Sequence, residues 1–206
     1  MLLTAPELNE TKVGIAGFAD VTILTAGAPA RVGNLLVDCM ESVRAQTLPV
    51  RSHLIGVDHE GANHGVVSTR LARSATTEWI MKLDDDDTLY PECIERLMAH
   101  AADAHVIYPY ADVSDWPEDS AVRQSVNRPF DEELLLKINF IAGAAMIRRE
   151  QFLEVGGMDD GHDQWNADWR CLLRLASVGC KFVAVPEVLW HYRRHATQQS
   201  AQRMPV

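Results

Sequence analysis

The chain has 206 residues, with 19 Lys and Arg against 29 Asp and Glu, and 47% of it is hydrophobic. That length suits one domain with a real core. The formal net charge of −10 argues against a nucleic-acid partner, which needs a basic face to release counter-ions from phosphate.

A polar arm over residues 1–20 lacks the basic start and apolar run of a signal peptide. No apolar run is long enough to cross a bilayer, and Cys39, Cys93, Cys171 and Cys180 form no C-x-x-C pair. These features lead us to expect buried thiols and a cytoplasmic protein. "VTILTAG" (21–27) is β-rich and stopped by glycine, a buried strand. Leu35, Leu36, Cys39, Met40 and Val43 then recur at helical spacing. "HLIGVD" (53–58) is a second strand, residues 65–76 a helix, and "EWIMKL" (78–83) a third strand. Pro91 opens another helix. "AHVIYPY" (104–110) is a strand, and a polar loop with Trp116 follows. Strand is expected over 140–149, then a short helix, a helix over 164–178 and a last strand over 181–186. Alternating strand and helix predicts a single-domain α/β fold: a mixed, mostly parallel sheet with helices on both faces. Ligands of such sheets bind beyond the carboxyl ends of the strands.

"MKLDDDDTLY" (81–90) places four aspartates directly after the third strand. Helix capping explains one carboxylate of this block at most. At the binding edge of a sheet, clustered carboxylates suit a hard divalent cation, Mn²⁺ or Mg²⁺, shared with substrate phosphates. No Gly-rich phosphate loop is present, which excludes a P-loop mechanism. On the 164–178 helix, Trp165, Trp169, Leu172, Leu173 and Ala176 form an apolar stripe, with Asp168 at its edge and Arg170 and Arg174 opposite. Trp165 and Trp169 are expected in the core, and Trp116 is a candidate platform for an acceptor sugar.

Three stretches taken in order resemble the inverting family 2 glycosyltransferases, which have the glycosyltransferase A fold of nucleotide-diphospho-sugar transferases. They are "LVDCMESVRAQTLP", "TEWIMKLDDDDTLYPECIERL" and "FIAGAAMIRREQFLEVGGMDD" with its continuation to "VPEVLWHYRRH". The similarity covers about residues 21–200, with 201–206 as a tail. It implies a non-processive, metal-dependent transfer of sugar from a nucleotide-diphosphate donor, a UDP-sugar, to a hydroxyl acceptor. Asp168 would be the catalytic base. Thr25, Asp58, Arg70, Asp84, Asp86 and Gly143 would bind nucleotide or donor, and Asp86, Asp87 and His195 would hold the metal. Asp85 sits at the variable position of the acidic motif. His59 and Ala167 depart from the family, which often has acids at both places. The Gln-x-x-Arg-Trp motif of processive members is missing from the sequence. The competing expectations are a divalent-metal phosphohydrolase or nucleotidyltransferase, and an inactive nucleotide- or glycan-binding relative.

Overall fold

A computed structural model of the chain describes residues 17–27, 33–57, 64–158 and 166–195. Seven strands form one sheet: β1 (Ala19–Gly27), β2 (Val50–Val57), β3 (Trp79–Lys82), β4 (Thr88–Leu89), β5 (Val106–Asp112), β6 (Met146–Arg148) and β7 (Phe182–His191). Their order is β2-β1-β3-β6-β5-β7-β4. β1 lies between β2 and β3, parallel to both. Covered on both faces, it is an almost unbroken apolar and β-branched run, as an internal parallel strand must be.

β6 runs antiparallel to both β3 and β5, so β3 and β5 point the same way. β7 is parallel to β5 and antiparallel to β4, its other neighbour. Five strands are therefore co-directional, and the chain leaves β1, β2, β3, β5 and β7 at one edge of the sheet. That edge receives the aspartate block after β3.

Side chains alternate strictly across the sheet. Val21, Ile23, Trp79 and Met81 pack on one face with Cys39 and Val43 of α1 (Asn34–Arg44) and Ile94 and Leu97 of α3 (Cys93–Met98). Leu24, Ile80, Val106 and Tyr108 pack on the other. Their partners are Ala72 of α2 (His64–Ser74), Phe152 of α6 (Arg149–Glu154), and Cys171, Leu172 and Leu175 of α7 (Ala167–Ser177). All four cysteines are buried free thiols, and burial pushes Cys39 up to about 12 and Cys180 up to about 11.

The structure departs from the sequence reading in several places. Expected strand over 140–149 is limited to Met146–Arg148, because the preceding residues line a cavity and Gly143 there takes φ +51°. β7 continues through Pro186 to His191. A short helix, α4 (Ala121–Ser125), interrupts the expected loop and a second, α5 (Glu132–Leu135), follows it, opened by side-chain caps from Ser120 and Asp131 respectively. Trp116 is no platform. It is 3% exposed, its indole donates to the Tyr192 carbonyl, and its ring packs on Tyr192. On α7 the buried residues are Ala167, Cys171, Leu172 and Leu175. Asp168 therefore lies within the buried arc, between Leu172 and Leu175, instead of at its margin. Trp169 is half-buried and donates to the Leu135 carbonyl, while Trp165 lies outside the described residues. Among the described residues, no helix is long and apolar enough to cross a membrane.

Candidate active site

β3 pairs with β1 as far as Leu83, whose N–H reaches the Leu24 carbonyl, and the chain then turns sharply, Asp87 N–H bonding the Asp84 carbonyl. The turn carries all four aspartates onto the carboxyl edge, and each meets a different environment. Asp85 is 1% exposed and packs against Gly27 at the end of β1. An added Cβ on that glycine would stand 3.4 Å from Asp85 Oδ2. Asp85 is thus tucked beneath the turn, against the end of β1.

Asp86 is also buried, and its Oδ2 lies 2.8 Å from His195 Nε2. Asp87 accepts the Arg193 N–H at Oδ1, 3.0 Å away. Its Oδ2 is buried without a hydrogen-bond partner. Burial, and then the neighbouring Asp86 and Asp84, hold the Asp87 carboxyl well above the usual carboxylate range. A buried carboxyl oxygen with no donor beside it is suited to a cation, and carboxylates with one imidazole are a donor set acceptable to Mn²⁺. Even so, among the described residues no three His, Cys, Asp or Glu side chains form a ready-made metal cluster. The structure brings Asp86 and His195 together and leaves Asp87 held by the backbone of Arg193.

Asp84 is engaged differently. The Lys82 ammonium lies 2.6 Å from its Oδ1 and 2.8 Å from its Oδ2. Lys82 was the one basic neighbour of the acidic block in sequence, yet its position inside the apolar run of β3 was the sign of a buried cation. Asp84 also lines a cavity of about 140 Å³ together with Asn139, Gly143, Asp168 and Tyr192. Across that cavity Asp168, in the first turn of α7, accepts the Trp169 N–H at Oδ1 (2.8 Å) and the Asn139 side-chain amide at Oδ2 (3.2 Å). Both oxygens are held, which fixes the carboxylate facing the cavity. Asn139 had no signal in the sequence.

Gly143 lines the cavity, and the atoms that forbid a side chain there belong to the protein. A Cβ would meet the Trp190 ring at 2.6 Å. Thr25 is fully buried, and its hydroxyl bonds His53 Nε2 at 2.9 Å, so it buttresses β2 and does not line the cavity. Arg70 is exposed on α2 and is also not among the residues lining it. Asp58 and His59 lie outside the described residues.

A mixed sheet whose carboxyl edge carries an acidic turn, with a helix-borne carboxylate across a cavity from it, defines a domain of the nucleotide-diphospho-sugar transferase fold. Residues 45–157, more than half of the chain, match the family described as Glycosyl transferase family 2, and the chain belongs to that family. Solved structures share the fold at low sequence identity. The S. aureus TarS fragment 1–349 in complex with UDP-GlcNAc aligns with TM-score 0.64 and 7% identity, over 90% of this chain and 61% of that one. GalNAc-T7 with UDP, GalNAc and Mn²⁺ aligns with TM-score 0.63 and 14% identity, over 87% of this chain and 44% of that one. A longer TarS structure aligns over 83% of this chain and 36% of that one, with TM-score 0.62 and 10% identity. This chain thus spans less than two thirds of each. No curated protein matches the sequence.

Proposed function

We propose that the chain transfers a sugar from a nucleotide-diphosphate donor, a UDP-sugar, to a hydroxyl acceptor with inversion at the anomeric carbon, one sugar per encounter. The observation that carries this reading is the cavity at the carboxyl edge of the sheet, flanked by Asp84 and by the doubly held Asp168. UDP or a UDP-sugar is bound in the TarS and GalNAc-T7 structures of the same fold, which supports UDP as the carrier. Asp168 accepts the acceptor's proton as the hydroxyl oxygen attacks, and Asn139 keeps Oδ2 aimed. Asp86 and His195 would hold Mn²⁺ or Mg²⁺, with Asp87 behind them. The ion, when bound, supplies positive charge to the departing diphosphate, which an acidic protein otherwise repels.

The test is product analysis with UDP- and GDP-sugars, Mn²⁺ and a panel of hydroxyl acceptors. The expected product is a glycoside of inverted configuration. Asp168→Asn is expected to keep fold and nucleotide binding while losing about 10²–10⁴-fold in turnover. Sugar phosphate or a nucleotidyl product would identify a phosphohydrolase or nucleotidyltransferase instead. Nucleotide binding without turnover, unchanged by Asp168→Asn, would identify a binding relative.

A further inference from the structure

The three side chains that follow Tyr192 after β7 diverge. Arg193 reaches Asp38 and the Leu35 carbonyl on α1, and His195 turns to Asp86. Arg194, between them, is exposed, and its guanidinium carbon lies over the Trp116 ring, 6.0 Å from the centroid. Trp116 is fixed in its turn. Its indole N–H is tied to the Tyr192 carbonyl, and Trp116, Tyr192 and Trp190 pack ring against ring, with centroids 5.1 and 5.4 Å apart.

A guanidinium left in this state is out of keeping with the chain, in which 29 acids face 19 Lys and Arg. The other cations beside the acidic turn are engaged: Lys82 with Asp84, and Arg193 with Asp38 and two carbonyls. Among the described residues Arg194 makes no hydrogen bond and no ion pair, only its contact with Trp116. A guanidinium resting on an aromatic ring is held through its flat face, and its N–H donors stay free along the edge. That edge matches two oxygens of a phosphate. A diphosphate brought to a turn of four aspartates is repelled unless cations meet it there.

We infer that Arg194 is a donor-binding residue: its guanidinium, steadied by Trp116 and next in the chain to His195, holds phosphate oxygens of the nucleotide diphosphate through its free N–H edge. The inference rests on the proposed function for the class of ligand, whereas the unengaged guanidinium beside the acidic turn stands on the geometry alone. It also gives Trp116 a task that agrees with its burial, the support of a cation in place of contact with a sugar. Two neighbouring arginines then divide the work: Arg193 builds the site and Arg194 serves the ligand. A contact made to phosphate strengthens binding with each phosphate the nucleotide carries and is indifferent to the base.

The experiment is a calorimetric titration of UDP and of UMP, with Mn²⁺ present throughout, against wild type, Arg194→Met and Arg194→Lys. Arg194 is exposed, so both variants are expected to melt with the wild type in a thermal scan. Wild type is expected to prefer UDP. Loss of a charge-assisted contact to phosphate is expected to weaken UDP about tenfold in Arg194→Met and to change UMP far less, so that the preference for UDP shrinks. Arg194→Lys keeps the charge without the fork and is expected to fall between the two. An unchanged affinity for UDP in Arg194→Met would overturn the inference, as would equal losses for UDP and UMP, or a wild type that binds UDP no better than UMP. The readout needs no turnover. UDP binding that depends on Arg194 in a chain that forms no glycoside would refute the proposed function and leave this result standing. Glycoside formation by a chain whose UDP affinity ignores Arg194 would refute the inference alone.

Discussion

His195 Nε2 and Asp86 Oδ2 lie 2.8 Å apart although 109 residues separate them in sequence. The contact is made possible by Arg193, which ties the end of β7 to the aspartate turn. Its backbone N–H bonds Asp87 Oδ1, its Nε bonds the Asp86 carbonyl, and its two terminal nitrogens reach Asp38 Oδ2 (2.8 Å) and the Leu35 carbonyl (3.2 Å) on α1. Strand exit, acidic turn and first helix are thus joined through one guanidinium.

Arg193→Met keeps the backbone bond to Asp87 and removes the other three. The contact to Asp38, a side chain 51% exposed, adds little. Losing the charged bonds to two carbonyls is expected to cost about 2 kcal/mol of stability and to weaken nucleotide binding as the His195–Asp86 pair loosens. Urea unfolding together with a nucleotide titration checks both, and unchanged behaviour in each would remove Arg193 from the account.

Gly143→Ala is expected to destabilise by about 1–3 kcal/mol. The residue has φ +51°, and a Cβ would stand 2.6 Å from the edge of the Trp190 ring, which is 1% exposed and has no room to withdraw. A domain of this size loses about 2–4 °C in melting temperature for each kcal/mol, so a thermal scan reads the effect directly.

His53 gives a pH signature. Burial, and then the Arg44 guanidinium, lower its imidazole to about 4, and the neutral ring meets the Thr25 hydroxyl at 2.9 Å. The folded value lies below the unfolded value of about 6.5. Stability is therefore fully present above pH 6.5 or so and falls as pH drops toward the folded value, where the unfolded chain binds the extra proton. The loss is expected to reach about 3 kcal/mol at most. His53→Gln, which retains a partner for Thr25, is expected to flatten this part of the curve in urea melts run at pH 7 and pH 5.

Much of this arrangement was legible in the sequence, because the strands beneath the site carry continuous apolar runs. "VTILTAG" and "EWIMKL" placed β1 and β3 within two residues of their ends, and the acidic turn followed from β3. The helical spacing from Leu35 to Val43 located α1. Elements fixed by long-range contacts were not visible. β4 is two residues long and exists by pairing with β7. α4 and α5 are too short for a periodic signal. Asn139 owes its role to a partner 29 residues away. Trp116 sat in a polar stretch that concealed its burial against Tyr192, and local pattern could not reveal which face of α7 meets the cavity. The metal residues were named from the acidic block and from the similarity, yet the pairing of Asp86 with His195 depends on the Arg193 clamp.

The most direct measurement is a calorimetric titration of UDP and of GDP, each with and without Mn²⁺, against wild type and Asp86→Ala. The account expects UDP to bind in a Mn²⁺-dependent manner and Asp86→Ala to abolish that dependence. Absence of binding by either nucleotide, or UDP binding that ignores both the metal and the substitution, would contradict it.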